Sequence, residues 1–517
     1  MMVSLNKIIY RGLLILSFVG VNLLILFGLS QILAYLSTGA DRSNMLHLDV
    51  KRTEVYLPEL NWESLENPGR PMEMQTLGDL QKDYLDAWYV RNVAYQTNQP
   101  YGIEDYYTDS ARVNLFSLIE WNKSQDIHIE STTLNHSPFL DFYSADGQLV
   151  SFTDKQVVQY QKIYKNNELI ATVQDTSDYQ VVMLLEDGFW RIRHQVKLTP
   201  SLPIEKTKRS NQYQVKNGEL LVNGETFSIA GINYYPQDTP WDMFAEKFDS
   251  TIINNDFKFI RQSVFNSIRI FIPYHDFGKA EVKEDKLKKL QIVLDLASQN
   301  QLKVVATLFD FYGDYSVMDW SLTNQHAKIV VSRFKDHPAI LAWDLKNEPD
   351  LDFESRGKEN VLEWLRQMAS EVQQYDSNHL ITIGWASPQA ATNLKNVVDL
   401  VSFHYYQEID QFQEKVAALR QAVPSKPLVL QEYGLSTYRG IWNPFGNSLK
   451  DQEAYYKKMQ AFLEEEKLAF MLWTLYDFKH VPSSVVGRLP WRKSNQKHFG
   501  ILDRLGNPKP AFRFFNR

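Results

Sequence analysis

Hydrophobic and polar positions divide the chain into three unlike stretches. Gly12 through Leu36 contains no charged side chain. At about 1.5 Å per residue that run exceeds the ~30 Å hydrocarbon core of a bilayer, so it predicts a membrane-spanning helix. Lys7 and Arg11 precede it, which places the N-terminus in the cytoplasm and the bulk of the chain outside. A signal peptide has a shorter apolar core, about 7–15 residues, and a small-residue cleavage site. Ser37-Thr-Gly-Ala40 is a weak match to such a site, so residues 1–40 are expected to be a cytoplasmic stub and retained anchor. Residues 41–76 are polar, with Pro58, Pro68, Gly69 and Pro71 and no long periodicity; they read as a stalk.

The second stretch, residues 77–198, changes period partway. Leu77, Leu80, Tyr84, Leu85, Trp88 and Val93 recur at helical spacing. Further short helices are expected at 102–107 and 111–122. Strands then follow at 126–134, 139–143, 149–164, 169–185 and 188–198. Asp146-Gly147, Asn166-Asn167 and Asp187-Gly188 fall between them as hairpin turns. Helices followed by a meandering sheet that closes on Gly-Phe-Trp-Arg-Ile-Arg193 resembles the nuclear-transport-factor-2-like cone fold, which implies a small α+β domain with an accessory or assembly role. Polysaccharide export or synthesis proteins are its expected partners. Asp141, His128 and His136 could line a pocket there, but each reads as an ordinary surface or hydrogen-bonded residue. The Pro-containing, charged residues 199–212 suit a linker.

The third stretch, residues 213–517, alternates strand and helix as a parallel α/β domain does. A hairpin with Asn-Gly turns at 217–218 and 223–224 comes first. Eight apolar runs follow: 228–234, 267–271, 303–309, 340–347, 380–384, 400–405, 428–432 and 470–476. Helical patterns such as 285–299, 325–334, 358–375 and 451–466 separate them. Eight strands over about 300 residues predict a (β/α)₈ barrel.

Composition narrows the function more than it names it. The charged fraction of 23% and the apolar fraction of 44% are those of a folded globular protein, and 517 residues predict two or three domains. The net charge is −7 with both signs mixed, and the absence of a basic stripe argues against nucleic acid. There is no cysteine, so neither a disulfide nor a thiolate metal site can form. The 12 Trp, 27 Tyr and 29 Phe suit a carbohydrate cleft, although cores use aromatics too.

The chemistry concentrates where the eight runs end. Leu341-Ala-Trp-Asp-Leu-Lys-Asn-Glu-Pro-Asp350 is apolar until Asn347-Glu348, and Pro349 must stop the strand because it lacks a ladder N–H. Pro427-Leu-Val-Leu-Gln-Glu-Tyr-Gly434 has the same build and delivers Glu432. The other ends carry Asn233, Arg269, Asp310, Trp385, His404 with Tyr406, and Trp473. Parallel strands bring all these ends to one rim. Two carboxylates facing each other there are what glycosidic cleavage needs. A separation of about 5–5.5 Å permits direct attack and retention, and ~6.5–9.5 Å leaves room for a water and inversion. Taken alone, Glu348 could cap the following helix, Arg269 could be a structural ion-pair partner and Trp473 could be core. His404 has no second His or Asp at ligand spacing, so no metal and no cofactor are expected.

Asn347-Glu348-Pro349, Glu432-Tyr433-Gly434, Arg269, His404-Tyr405-Tyr406, Trp473 and the closing Phe499–Ala511, one per strand end and in order, resemble the retaining glycoside hydrolases of clan A, most of all family 5, the cellulase/mannanase family. The resemblance covers about three fifths of the chain. It implies Glu348 as general acid/base, Glu432 as nucleophile and Asn347 on the sugar 2-hydroxyl. Arg269 would hold Glu432 ionised, His404 and Tyr406 would shape the site, and Trp473 would be a platform for the sugar face. Asn233, Trp385 and Asp310 are weaker members of the set. One segment departs from the family: Leu308-Phe-Asp-Phe-Tyr-Gly-Asp314 stands where many members are His-rich.

The expected function is a membrane-anchored retaining hydrolase acting on an extracytoplasmic β-linked polysaccharide. A transglycosylase using the same two glutamates, or a non-catalytic polysaccharide-binding scaffold of an export complex, are the alternatives. The segments 438–446 and 479–497 should wall off part of the cleft and set its specificity, with Arg488, Arg492, Lys493 and Lys497 either facing an acidic polymer or solvated.

Overall fold

The apolar runs of the third stretch close into a barrel because each is buried on both faces, by its neighbours inside and by helices outside. The computed structural model describes residues 55–67, 70–186, 188–200 and 212–516, together with 18, 20–22 and 25. The expected anchor at 12–36, apart from those five residues, and the 201–211 part of the linker lie outside the described residues. Among the described residues no helix is long and apolar enough to cross a membrane.

The first described elements are β1 (Glu59–Leu60), α1 (Met74–Thr97), α2 (Ile103–Tyr106) and α3 (Asp109–Ser124). The strands β2 (Ile127–Thr133), β3 (Asn135–Tyr143), β4 (Leu149–Lys165), β5 (Glu168–Glu186) and β6 (Phe189–Pro200) follow. The sheet order is β1-β3-β4-β5-β6, with β2 also paired to β4. β4 is long enough to take β3 along its first half and β2 along its second. The helices bury Leu80, Tyr84 and Trp88 against Phe152, Val181 and Ile192 of the sheet. Asn166 and Asn167 turn the β4–β5 hairpin at φ 50° and 61°, the left-handed pair a two-residue turn demands. His136 is fully buried and bonds Asp154 Oδ2 at 2.6 Å. Asp154 also accepts from the Tyr84 hydroxyl at 2.6 Å. His128 stacks on Tyr164 and Asp141 accepts from Thr153. All three residues therefore have ordinary structural partners.

A meander of β7 (Tyr213–Lys216), β8 (Glu219–Val222) and β9 (Glu225–Thr226) precedes the barrel. Tyr213 and Leu220 pack against Leu341, Leu380, Leu400 and Val429, so the meander plugs the N-terminal end of the barrel. The barrel strands are β10 (Ala230–Asn233), β11 (Ser267–Pro273), β12 (Lys303–Asp310), β13 (Ile340–Asn347), β14 (Leu380–Trp385), β15 (Val401–Tyr405), β16 (Leu428–Tyr433) and β17 (Ala469–Leu472). They form a closed ring in sequence order, all parallel. The last strand is shorter than the apolar run 470–476 suggests. It stops at Leu472, and Tyr476 bridges to Leu502 instead.

The helices that matter here are α4 (Ser250–Gln262), α5 (Glu284–Gln299), α6 (Trp320–Phe334), α7 (Lys358–Tyr375), α8 (Phe412–Ala422), α9 (Leu449–Glu465), α10 (Ser483–Val486) and α11 (Pro490–Gln496). α9 starts in a full capping box. Ser448 Oγ accepts from Asp451 N–H, and the Asp451 carboxylate accepts from Ser448 N–H. The α+β domain rests on α6 and α7. The Tyr160 ring lies 4.1 Å from that of Trp320, and the Tyr160 hydroxyl donates to Glu363 at 2.5 Å. Lys162 donates to Asn360 at 2.6 Å.

Candidate active site

Glu348 follows directly after β13 in a left-handed conformation, φ 49° and ψ 50°. Non-glycine residues adopt it rarely, mostly where the surroundings enforce it. Pro349 disfavours the right-handed helical region for the residue before it, and the Glu348 N–H is held by Gly384 O at 2.6 Å. The result is a carboxylate projected from the strand end into the rim.

Glu432 arrives from β16. Along β15–β16 the pairing passes from Phe403–Leu430 to His404–Glu432, leaving Gln431 without a partner. That bulge lets both Gln431 and Glu432 reach the same interior, which strict alternation along a strand forbids. A similar shift between Asp344 and Asn347 on β13 brings two residues of odd spacing onto one guanidinium.

That guanidinium is Arg269, fully buried. Nε and Nη2 donate to Asp344 Oδ2 at 2.9 and 2.6 Å. Nη1 donates to Glu432 Oε1 at 2.5 Å and to Asn233 Oδ1 at 3.2 Å, and Nη2 donates also to Asn347 Oδ1 at 3.0 Å. Burial opposes the charge on Arg269, but Asp344 and Glu432 outweigh it. Asp344 accepts further bonds from Thr307 Oγ1 at 2.7 Å and Gly384 N–H at 2.9 Å.

His404 Nδ1 bonds Glu348 Oε1 at 3.0 Å and lies 3.7 Å from Glu432 Oε2. Burial lowers the basicity of the imidazole, yet the charge on Glu432 and the bond to Glu348 raise it by more. The Tyr406 hydroxyl donates to Glu432 Oε2 at 3.1 Å. Donor atoms of Glu348, His404 and Glu432 lie within 4.8 Å of one another. Each comes from the end of a different strand, on the one rim that parallel strands share. Their types would suit a metal, but Arg269 already occupies Glu432 and His404 already bonds Glu348.

These residues open into a cleft of about 480 Å³. Asp310, Asn347, Glu348, Tyr406, Glu432 and Trp473 line it, so six of the ten residues expected at the site face one space. Arg269, Asn233 and His404 stand behind them, fully buried. Asn233 anchors that layer by donating to Gln431 O at 2.8 Å. Trp385 is the exception: it is 1% exposed, packs near Phe353 and does not line the cleft. Its run ends one residue later than 380–384 suggests, and its side chain joins the core.

Two participants carried no signal in the sequence. Asp344 lies inside an apolar run. Trp241, in an irregular segment, lines the cleft with its ring 5.8 Å from that of Trp473. The 479–497 segment contributes Val485, Val486, Asn495 and Gln496 to the cleft wall. Trp442 and Trp491 from the two rim segments pair at 6.3 Å, half exposed. Arg488, Arg492, Lys493 and Lys497 do not line the cleft, and Lys493 bonds Ser483.

Residues 213–469 match the family model described as Glycosyl hydrolases family 2, TIM barrel domain. This differs from the family 5 assignment that the motifs suggest. Among curated proteins, the chain is 28% identical over 181 residues to putative mannan endo-1,4-β-mannosidase 4 of Arabidopsis thaliana, covering 26% of this chain and 43% of that one. It is 24% identical over 319 residues to the β-glucuronidase of Homo sapiens, covering 57% of this chain and 44% of that one. The chain thus spans less than half the length of these two relatives. Among solved structures, exo-β-1,4-mannosidase Op5Man5 from Opitutaceae bacterium strain TAV5 superposes with a TM-score of 0.48 at 20% identity, over 59% of this chain and 60% of that one.

Proposed function

We propose that the protein is a retaining glycoside hydrolase that cleaves β-glycosidic bonds of a neutral polysaccharide by double displacement. The observation that carries this reading is the pair Glu348 and Glu432, with carboxylate oxygens within 4.8 Å of each other across the barrel rim. That spacing lies nearer the ~5–5.5 Å of direct attack than the ~6.5–9.5 Å of inverting pairs. Glu432 takes the nucleophile's role because Arg269 and Tyr406 each donate to one of its oxygens and fix the carboxylate in place. Glu348 takes the acid/base role, with His404 bonded to its Oε1. Asn347, its carbonyl oxygen fixed by Arg269, presents its amide to the sugar beside the nucleophile. Trp473 and Trp241 offer a stacking face.

A neutral sugar is favoured by the charge of the walls. Among the described residues the cleft lining holds the carboxylates Asp310, Glu348 and Glu432 and no Lys or Arg, so no lining cation is there to pair with a uronate. The mannosidase names among the relatives agree with this choice and with the family 5 motif set, and the glucuronidase names do not. The run 12–36 supports a single-pass anchor with the barrel extracytoplasmic, acting on cell-surface or exported polymer. The α+β domain would be the part that contacts an export or synthesis complex.

The test is hydrolysis of aryl β-mannoside, β-glucoside and β-glucuronide, followed by proton NMR of the first-formed anomer. A β-anomer first, from a neutral glycoside, is expected. Glu348→Gln should lower kcat/KM by about 10²–10⁴-fold on poor leaving groups and far less on activated ones. Glu432→Gln should abolish turnover on both. An α-anomer first would replace retention by inversion, and full activity of Glu432→Gln would remove the mechanism.

A further inference from the structure

The α+β domain contains a second cavity, about 240 Å³, between the C-terminal half of α1, helix α3 and strand β6. Its inner wall carries Arg91, which is 8% exposed. The guanidinium carbon lies 3.7 Å from the centroid of the Trp88 ring, and Nη1 donates to Gln195 Oε1 at 3.1 Å. Arg91 Nε and Gln195 Nε2 are both buried and without a hydrogen-bond partner. Arg91 and Gln195 both line the cavity, while these two nitrogens themselves are closed to it.

Among the described residues no carboxylate pairs with Arg91. The two buried acids of α1 are engaged elsewhere: Asp83 accepts from the Trp190 N–H at 2.9 Å, and Asp86 pairs with Lys82 at 2.9 Å. The groups around the guanidinium are aromatic rings, with the centroids of Trp88 and Tyr95 at 3.7 and 5.8 Å from its carbon. A buried cation is costly unless paired and hydrogen-bonded. The Trp88 face supplies part of that compensation, and an anion in the cavity would supply the rest.

We propose that this pocket binds a small carboxylate, its oxygens received by the Arg91 guanidinium and its body held against Tyr95, Leu115 and Leu118. A planar carboxylate matches the guanidinium fork. A phosphate dianion would bring two charges to one cation. The volume is below the ~300–1,000 Å³ of drug-sized sites, which suits an acid no larger than a monosaccharide. The site is separate from the barrel cleft and does not depend on the glycosidase reading.

The test is titration calorimetry of the full chain in detergent with benzoate and D-glucuronate, using benzamide as the uncharged control and inorganic phosphate as the competing oxyanion. At least one of the two acids should bind with 1:1 stoichiometry, tenfold or more tighter than benzamide and phosphate. Leu118→Trp, which fills the mouth and leaves Arg91 in place, should weaken that binding at least tenfold, as should Arg91→Met. Glu432→Gln should leave it unchanged. The proposal falls if neither acid binds, if phosphate binds more tightly than both, or if Leu118→Trp binds the acid as well as the wild type does. It falls too if Glu432→Gln abolishes binding, which would move the ligand to the barrel. Leu118→Trp carries the test alone if Arg91→Met does not fold.

Discussion

Gly384 shows how closely the site is packed. A Cβ there would stand 2.5 Å from Gln431 Oε1, 2.7 Å from Arg269 Nη2 and 3.2 Å from His404 Nε2. Arg269 is clamped between Asp344 and Glu432 and His404 is bonded to Glu348, so neither can retreat without moving a carboxylate. Gly384→Ala should therefore destabilise the fold by about 1–3 kcal/mol. It should also cost about 10²-fold in kcat, because displacement on the order of 1 Å is enough for that. Urea titration and steady-state kinetics check the two effects, and an active, fully stable variant would mean that the layer behind the carboxylates is softer than its bonds imply. The same clamp bears on metal dependence. A divalent ion on Glu432 would sit against the Arg269 guanidinium, 2.5 Å from the carboxylate oxygen it would need. Prolonged dialysis against EDTA should leave kcat/KM unchanged, and a loss restored by Zn²⁺ or Mg²⁺ would show that the Glu348–His404–Glu432 group takes an ion.

At the scale of elements, the sequence was read most accurately where one physical rule acts alone. Strand β13 and helix α7 have the limits their patterns predict, 340–347 and 358–375. An unbroken apolar run and a strict helical period leave little latitude there. What stayed hidden arises from irregularity. Asp344 looks like a stray charge in an apolar strand until barrel closure sets it against Arg269. Trp241 belongs to no periodic element at all. Helix α7 holds a further group that only burial reveals. Glu371 is 5% exposed, and burial raises its carboxyl to about 7. Tyr375 donates to Asn324 at 2.8 Å while its oxygen lies 3.2 Å from Glu371 Oε2. A protonated Glu371 can thus donate to Tyr375 and accept from Gln367 at 2.6 Å. A carboxyl whose folded pKa lies above its unfolded value stabilises the fold fully below the unfolded value, 4.5 here, and that contribution is lost as pH rises through about 7. Thermal stability should accordingly fall between pH 5 and 8. Glu371→Gln, which keeps both hydrogen bonds without a charge, should flatten that fall and gain on the order of 2–3 kcal/mol at pH 8. Calorimetric scans of both proteins across this range decide it, and parallel curves would assign the pH dependence to other groups.

Across the whole molecule, the two domains meet beside the catalytic rim. Asp310 and Phe311 line the cleft, and the loop they begin leads through a short turn at Val317–Asp319 into Trp320 of α6. Trp320 is fully buried under the Tyr160 ring of β4. Lys162, also fully buried, reaches Asn360 of α7, and the Leu57 N–H donates to Ser321 Oγ at 2.8 Å. The α+β domain thus holds the start of α6 from outside while the substrate wall hangs from the same loop. Tyr160→Ala removes a buried ring and the hydrogen bond to Glu363, a loss of about 3–5 kcal/mol by the measure of other buried aromatics. Most of that loss should fall on docking, because Tyr160 packs with the barrel core. The wild type should unfold in one calorimetric transition and Tyr160→Ala in two, with the barrel transition near its original temperature. The loop carrying Asp310 and Phe311 would then lose its outer support, and kcat/KM on a polymer should drop several-fold while small aryl glycosides are turned over nearly as before. A single unshifted transition with unchanged polymer kinetics would make the α+β domain a passenger beside the barrel, and would leave its Arg91 pocket as the reason for its presence.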